Sequence, residues 1–318
     1  MVVVILTVTM NPAYDLTYRL DRFEYGAVQR IPAVEQRVGG KGINVARVLR
    51  ALGHDTVAMG FADTAFGREA AREMPVDFVE ALPRVRRTVV LSEADGTTTG
   101  LWEPGAALHD PRAADQLKQR VAERLPRARG LVVSGSLPGG VDPALPAELA
   151  ELAVRADVPV ICDVDGEALR AAAKVWGVVL MPNDDELFTL TGVRPDDPSE
   201  LVESVQHLLK SGVAAIVATR GRDGLVGVIR GAGWVVGTTE QITGNPTGAG
   251  DAAAAALIAG LAAPPRGASE LDWPALLTDV VATSAAAVAR PVAGEIDDTL
   301  RTRLTPTIRV MPLHTWLY

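Results

Sequence analysis

Gly244–Gly260, GNPTGAGDAAAAALIAG, is the stretch from which the rest of the chain is best read. It opens on turn-formers, Gly244 to Gly248, and runs into Ala252–Leu261, which is almost pure helix-former. The pattern predicts a glycine-rich turn feeding a helix start. The backbone N–H groups of Gly248, Ala249 and Gly250 then have no helical partner, and with the positive end of the helix dipole they suit an anion, most commonly phosphate. Asp251 follows at once. As an ordinary first-turn acid it would complement the dipole, worth ~0.3–1 kcal/mol. As a base beside an anion cradle it would take the proton from a hydroxyl while the cradle holds the phosphoryl group under attack.

Upstream, from Gly130, strand and helix patterns alternate. Strands fit Leu131–Ser134, Val158–Asp163, Val178–Met181 and Ala214–Thr219. Helices fit Pro143–Arg155, Glu167–Lys174, Asp184–Thr191 and Pro198–Lys210. That rhythm implies an α/β protein with a mostly parallel sheet flanked by helices. Ligands gather at the carboxyl ends of such strands. Polar clusters sit there: Ser134 and Ser136, Asp163 and Asp165, Asn183 and Glu186, and Thr219 to Gly221.

At the other end, Val2–Val8 reads as a buried strand closed by Asn11-Pro12, with Asp15 just beyond. Arg37-Val-Gly-Gly-Lys-Gly-Ile-Asn44 is a second glycine-rich loop into a helix, with Gly39, Gly40, Lys41 and Asn44 as candidate ligands. Its spacing is not that of a Walker A loop. Thr56–Phe61 is a further strand. Arg86–Leu91 and Thr97–Trp102 read as a hairpin turning at Asp95-Gly96. With Tyr14–Leu20 and Ile31–Val38 it predicts a small separate sheet, built from about 12–38 and 86–103. Leu225–Arg230 and Trp234–Gly237 form another hairpin, and Trp273–Arg290 a long helix interrupted near its start by Pro274. Phe66–Arg84 and Thr305–Tyr318 carry no clear period.

The chain has 318 residues, 48% of them hydrophobic, enough for a substantial core. Its one cysteine, Cys162, lies in an apolar run, which predicts a buried thiol and excludes an internal disulfide. The histidines and the cysteine show no metal-ligand spacing. A net charge of −8 with no basic block argues against nucleic acid as a partner. The first residues read as a strand and not as a signal peptide, and no apolar run is long enough to span a bilayer. The expectation is a cytoplasmic protein folded as one unit over 1–318.

These motifs together resemble the ribokinase-like, or phosphofructokinase B, carbohydrate kinases, and within them the 1-phosphofructokinase and tagatose-6-phosphate kinase branch. The resemblance runs from Val2 to about Ala293. It rests on Asn11-Pro-Ala-Tyr-Asp15, Gly39-Gly-Lys-Gly-Ile-Asn44, Ser134-Gly-Ser-Leu-Pro138, Pro182-Asn-Asp-Asp-Glu186 and Gly248-Ala-Gly-Asp251. It implies a ribokinase-like fold whose small sheet acts as a lid and often as a dimer contact. It implies Asp251 as general base and Gly248, Ala249 and Gly250 as the anion hole. Asn183 and Glu186 would organise Mg²⁺, Glu186 through water, together with the ATP phosphates. Thr219, Gly221 and Gly224, with Gly250, would line the nucleotide. Asp15, Gly39, Gly40 and Asn44 would hold sugar hydroxyls, and Lys41, Arg87 and Ser136 a phosphate already on the sugar. Related 6-phosphofructokinases often have glycine at the Lys41 position and take a lysine from a neighbouring subunit, near the place of Ala27. Lys41 therefore points to the 1-phosphofructokinase side.

The sequence departs from the branch at Met181, where lysine is usual, at Pro246, at Asp165, where serine is common, and at Arg220, which replaces an apolar residue. The leading expectation is conversion of fructose 1-phosphate to the 1,6-bisphosphate. Tagatose 6-phosphate, fructose 6-phosphate, an unphosphorylated hexose or a nucleoside stand as alternative acceptors. A non-catalytic sugar or nucleotide sensor is the alternative of another class.

Overall fold

The computed structural model describes residues 3–194, 197–263 and 271–313. Val2, where the first strand was expected to begin, and residues 314–318 of the unassigned tail lie outside them. In chain order the strands are β1 (Val4–Thr9), β2 (Ala13–Leu20), β3 (Ala33–Gly39), β4 (Thr56–Ala62), β5 (Val76–Glu80), β6 (Arg86–Glu93), β7 (Thr98–Trp102), β8 (Ala128–Ser134), β9 (Val160–Asp163), β10 (Val179–Leu180), β11 (Ala215–Thr219), β12 (Leu225–Ile229), β13 (Ala232–Gly237) and β14 (Arg309–Leu313). The helices are α1 (Lys41–Ala51), α2 (Thr64–Glu73), α3 (Ala113–Arg124), α4 (Leu145–Arg155), α5 (Gly166–Ala172), α6 (Asp184–Thr191), α7 (Pro198–Ser211), α8 (Ala249–Leu261), α9 (Trp273–Val288) and α10 (Asp298–Leu304).

The main sheet has ten strands in the order β14-β13-β12-β11-β10-β9-β8-β1-β4-β5. From β11 to β5 all neighbours pair in parallel; β12, β13 and β14 add an antiparallel edge. The chain leaves β1 in both directions, to β4 and β5 on one side and to β8 and beyond on the other. The topological switch therefore lies between β1 and β8, where a parallel sheet opens a crevice at its carboxyl edge.

Strand residues alternate between two buried faces. Leu6, Val8, Leu131, Val133, Cys162 and Leu180 join one apolar layer, which is completed by α2 to α7. Ile5, Val132, Ile161, Val179 and Val217 join the other, under α1, α8 and α9. Helix α8 is apolar all round and buried from Asp251 to Ile258, so it packs between the sheet, α1 and α9 and cannot lie on the surface. Its alanines suit both helix formation and close approach. At α9, Pro274 occupies the first turn and Asp272 caps it, so the expected interruption is a helix start instead.

The small sheet has the order β3-β2-β6-β7, with β2 and β6 parallel and the other pairs antiparallel. It uses the four segments expected of it. Three regions gain structure the sequence reading did not assign: the stretch Phe66–Arg84 contains most of α2 and all of β5, α3 covers the sheet, and residues 305–313 end in edge strand β14.

Candidate active site

Asp251 sits in the first turn of α8 with only 5% of its surface exposed. Burial drives its carboxyl pKa up from 3.8 to about 7; Lys41 and a hydrogen bond from Asn44 pull it down, and Asp163 and Asp15 push it up. The bond runs from Asn44 Nδ2 to Asp251 Oδ2 at 3.0 Å, between two buried side chains. Asn44 Oδ1 in turn accepts from Arg47 Nη1 at 3.2 Å, so its amide orientation is fixed from both ends. A carboxyl that titrates near neutrality inside a cleft has the properties of a general base.

The turn before Asp251 is built for an incoming anion. Gly248 caps α8 with φ 90°, and a Cβ there would lie 2.8 Å from Ala293 Cβ. Side chains are thus excluded from the helix tip on steric and conformational grounds together. The Gly248 and Gly250 N–H groups donate to no carbonyl among the described residues, whereas Ala249 N–H is taken by Pro246 O at 3.2 Å. Of the expected trio, Ala249 contributes the turn's shape and its two glycine neighbours the open donors.

Across the cleft, Asp15 rises from β2. Its Oδ1 accepts from Thr88 Oγ1 at 2.5 Å, and burial pushes its pKa up against that bond and against Arg47. Gly39 must lack a side chain because a Cβ would fall 2.0 Å from Asp15 Oδ2. Gly40, beside it, caps α1. Lys41 opens that helix, and its Nζ meets Asp163 Oδ1 at 3.0 Å. The other Asp163 oxygen accepts from Ser134 Oγ at 2.7 Å. Burial opposes the Lys41 charge, but Asp163, Glu186 and Asp251 outweigh it and hold its ammonium above the ordinary lysine range. Lys41 therefore belongs among the carboxylates at the carboxyl end of β9 and the starts of α6 and α8.

Ser136 follows β8, and its Oγ accepts from Asn11 Nδ2 at 3.1 Å, which ties together the two loops at the switch point. Asn183 and Glu186 form a reciprocal capping box at α6: Asn183 Oδ1 accepts from Glu186 N and Glu186 Oε2 from Asn183 N, each at 2.9 Å. Burial raises the Glu186 pKa, opposed by Lys41 and reinforced by Asp163 and Asp165. Thr219 ends β11 beside Asn183, and Gly221 and Gly224 bracket the tight turn after it. Among the described residues no group of three or more His, Cys, Asp and Glu side chains makes a metal cage. The Glu186 carboxyl, with no such cage of protein ligands around it, fits a Mg²⁺ that keeps its waters and arrives on nucleotide phosphates.

The family model for pfkB carbohydrate kinases matches residues 8–300. The chain belongs to that family. A tagatose-6-phosphate kinase of Staphylococcus epidermidis is 28% identical over 264 residues, 81% of this chain and 85% of that protein. Phosphofructokinase-2 of Escherichia coli, solved in complex with fructose-6-phosphate, has TM-score 0.83 at 28% identity, covering 96% of this chain and 98% of that one. A Thermotoga maritima protein named a possible 1-phosphofructokinase has TM-score 0.86 at 23% identity, covering 98% and 99%; this likeness concerns the fold. The protein is thus a carbohydrate kinase with the ribokinase-like α/β architecture, and its substrates are small molecules.

In this kinase one predicted residue stands apart from the others. Parallel pairing sets Asp15 beside Thr88 and Tyr14 beside Arg87. Side chains alternate along a strand, so Arg87 lies on the far face of the small sheet from Asp15. It is exposed there, beside Tyr18, Gln36, Val89 and Leu101. Arg86 takes the cleft side. Its Nε and Nη1 donate to the carbonyls of Asn11 (3.3 Å) and Glu103 (3.0 Å), and it pairs with no carboxylate among the described residues. Burial lowers its pKa, against Asp15 and Asp165. Asn11, Arg47 and Asp163 are further site residues. Asn11 and Asp163 fall in polar segments at strand ends, and Arg47 lies one helical turn after Asn44.

Met181 is buried in the core under α8, and Arg220 is engaged by Asp184 Oδ1 at 3.2 Å. No helix among the described residues is long and apolar enough to cross a membrane.

Proposed function

We propose that this protein is an ATP-dependent kinase that transfers the γ-phosphoryl group to a hydroxymethyl group of a ketohexose phosphate, with fructose 1-phosphate as the preferred acceptor. The observation that carries the reading is Asp251: a buried carboxyl at the open tip of α8, oriented by Asn44 and within electrostatic reach of Asp15 and Lys41. Asp251 accepts the acceptor's proton, and the Gly248 and Gly250 N–H groups receive the phosphoryl oxygens. Asp15 and Asn44 orient the sugar hydroxyls. Lys41, held by Asp163, places positive charge beside the transferred group. The reaction asks for little beyond such positioning and neutralisation. Mg²⁺ would enter through Glu186 and water and offset charge on the nucleotide phosphates. Thr219, Gly221 and Gly224 would line the nucleotide.

Arg86 is the cation best placed for a phosphate on the acceptor. It is partly buried on the cleft face and, among the described residues, its acceptors are neutral carbonyls, so an anion would gain a charge-assisted bond without displacing an ion pair. Ser136 lies on the same Asn11-centred link. The small sheet would close over the sugar as a lid and exclude water. The far face of that sheet exposes Val34 and Leu101 beside Tyr18 and Val89, an apolar patch suited to a homodimer contact. An ADP-release assay across fructose 1-phosphate, tagatose 6-phosphate, fructose 6-phosphate, free hexoses and nucleosides tests the assignment. Fructose 1-phosphate should give the highest kcat/KM. Faster turnover of tagatose 6-phosphate would move the acceptor within the branch. Faster turnover of an unphosphorylated compound would refute the sugar-phosphate reading, and the absence of turnover with any of them would refute the kinase reading.

A further inference from the structure

The small sheet is tied to the main body by an ion triad outside the residues given catalytic roles above. Arg37 lies opposite Asp15 in the β2–β3 ladder, so its side chain is on the cleft face. Its Nη1 meets Glu295 Oε1 at 2.8 Å across 258 positions of sequence. The second oxygen of Glu295 accepts from Arg290 Nε at 3.2 Å and Nη2 at 3.0 Å. Both carboxylate oxygens are therefore committed, one to the small sheet and one to the chain just after α9. Despite the opposing effect of burial, these arginines hold the Glu295 pKa below the ordinary glutamate range.

The segment carrying Glu295 also touches the Gly248 turn and Asn44. Ala293 walls the Gly248 turn, at the 2.8 Å a Cβ would meet. Gly294, at φ 81°, packs tightly against Asn44 Oδ1, the other end of the amide that orients Asp251; a Cβ there would lie 3.1 Å from it. Asn245 Nδ2 donates to Pro291 O at 3.0 Å and Asn245 N to Val288 O at 2.9 Å, so the segment and the turn before α8 hold each other. A narrow cavity runs between the two walls, with Asp15, Thr17 and Thr88 on one side and Thr247, Val292 and Ala293 on the other. Arg37 lines it as well.

We propose that Glu295 is a positioning residue that couples closure of the small sheet to the geometry of the Gly248 turn, so that the anion cradle is held in its working shape when Arg37 is engaged. An exposed ion pair between neighbours would carry little energy. This one is about one-quarter to one-third exposed on each side, and it links the small sheet to the segment after α9, which belongs to neither strand ladder of that sheet. Its effect therefore falls on where the small sheet rests more than on whether the chain folds. The inference builds on the kinase reading for its kinetic consequence and stands without it for its structural one.

The test compares full-length wild type, Glu295→Gln, Arg37→Gln and the double variant by hydrogen exchange and steady-state kinetics. Arg37 is on a partly exposed edge strand, so its variant serves if Glu295→Gln folds poorly. Amides of both β3 and residues 247–251 should exchange about three- to tenfold faster in either single variant, and the double should be no faster than the faster single. The acceptor KM should rise by a similar factor, ATP affinity should stay unchanged, and acceptor-independent ATP hydrolysis should rise relative to transfer. Faster exchange confined to residues 290–297, or single effects that multiply in the double, would overturn the coupling. Should no sugar or sugar phosphate be turned over, the kinase reading falls, while the exchange result still decides the tether.

Discussion

Replacing Asp251 by Asn should make the protein much slower and, above neutral pH, more stable. Asn is nearly the same shape, and its carbonyl oxygen can still accept from Asn44 Nδ2. What is lost is the base. Positioned proton transfer is worth about 10²–10⁴-fold, so kcat should fall by that factor, about 3–5 kcal/mol of barrier. What is gained is relief from burying a charge. The native pKa of about 7 stands above 3.8, so the fold binds this proton more tightly than the unfolded chain does. Stability from this group is full below about pH 4 and is lost as pH rises through 7. The gap corresponds to about 4 kcal/mol at pH 8, or a melting temperature about 6 °C higher for the variant in a chain of this length. Melting curves at pH 8 and pH 4, with kcat by ADP release and ATP affinity by calorimetry, test both halves. The stability difference should close at pH 4, and wild-type kcat/KM should climb with an inflection near 7. Near-normal kcat in the variant, or equal melting temperatures at pH 8, would refute the assignment of Asp251 as a buried base.

Arg86→Gln should raise the KM for a phosphorylated acceptor about tenfold or more and leave free-sugar KM unchanged, whereas Arg87→Gln should leave both near wild type; steady-state kinetics on paired substrates separates the two. Gly248→Ala, forced to φ 90° against Ala293, should lose about 1–3 kcal/mol in denaturant titration, while Gly250→Ala, with open space around the new methyl, should keep its stability and lose transfer rate. The Cys162 thiol is fully buried and its pKa is pushed up to about 12 by desolvation and by Asp163, so a thiol reagent at pH 8 should label it only after unfolding.

Much of the architecture was legible because local pattern and tertiary role agree. The alanine run of α8 is both a strong helix former and buried throughout from Ala252 to Ile258, and polar residues at the ends of β8, β9 and β11 stand out against apolar strands. The side of the small sheet on which each arginine falls was not legible. It depends on the parallel register of β2 on β6, a pairing of segments about 70 residues apart that no local period encodes. Helix α3 buries Ala113, Leu117 and Val121 at four-residue spacing, a periodic signal diluted by its polar surround. Strand β14 offers no such signal, since it is an edge strand with exposed Met311 and with Pro312 in its ladder. Asn183 and Glu186 read as phosphate-site residues from their motif, and the structure adds that they also hold the α6 start.

The switch point joins β1, made among the first ten residues, to β8, made more than a hundred later, and the helix carrying Asp251 arrives later still. A growing chain on the ribosome therefore holds its central strand without its final neighbour until most of the polypeptide has emerged. Until α8 docks, the layer that holds Val48, Leu49 and Val132 lacks one of its two long apolar helices. Translation stalled before residue 249 would release a sticky, inert fragment, and the completed enzyme should depend on chaperone shielding more than a protein whose contacts close in sequence order.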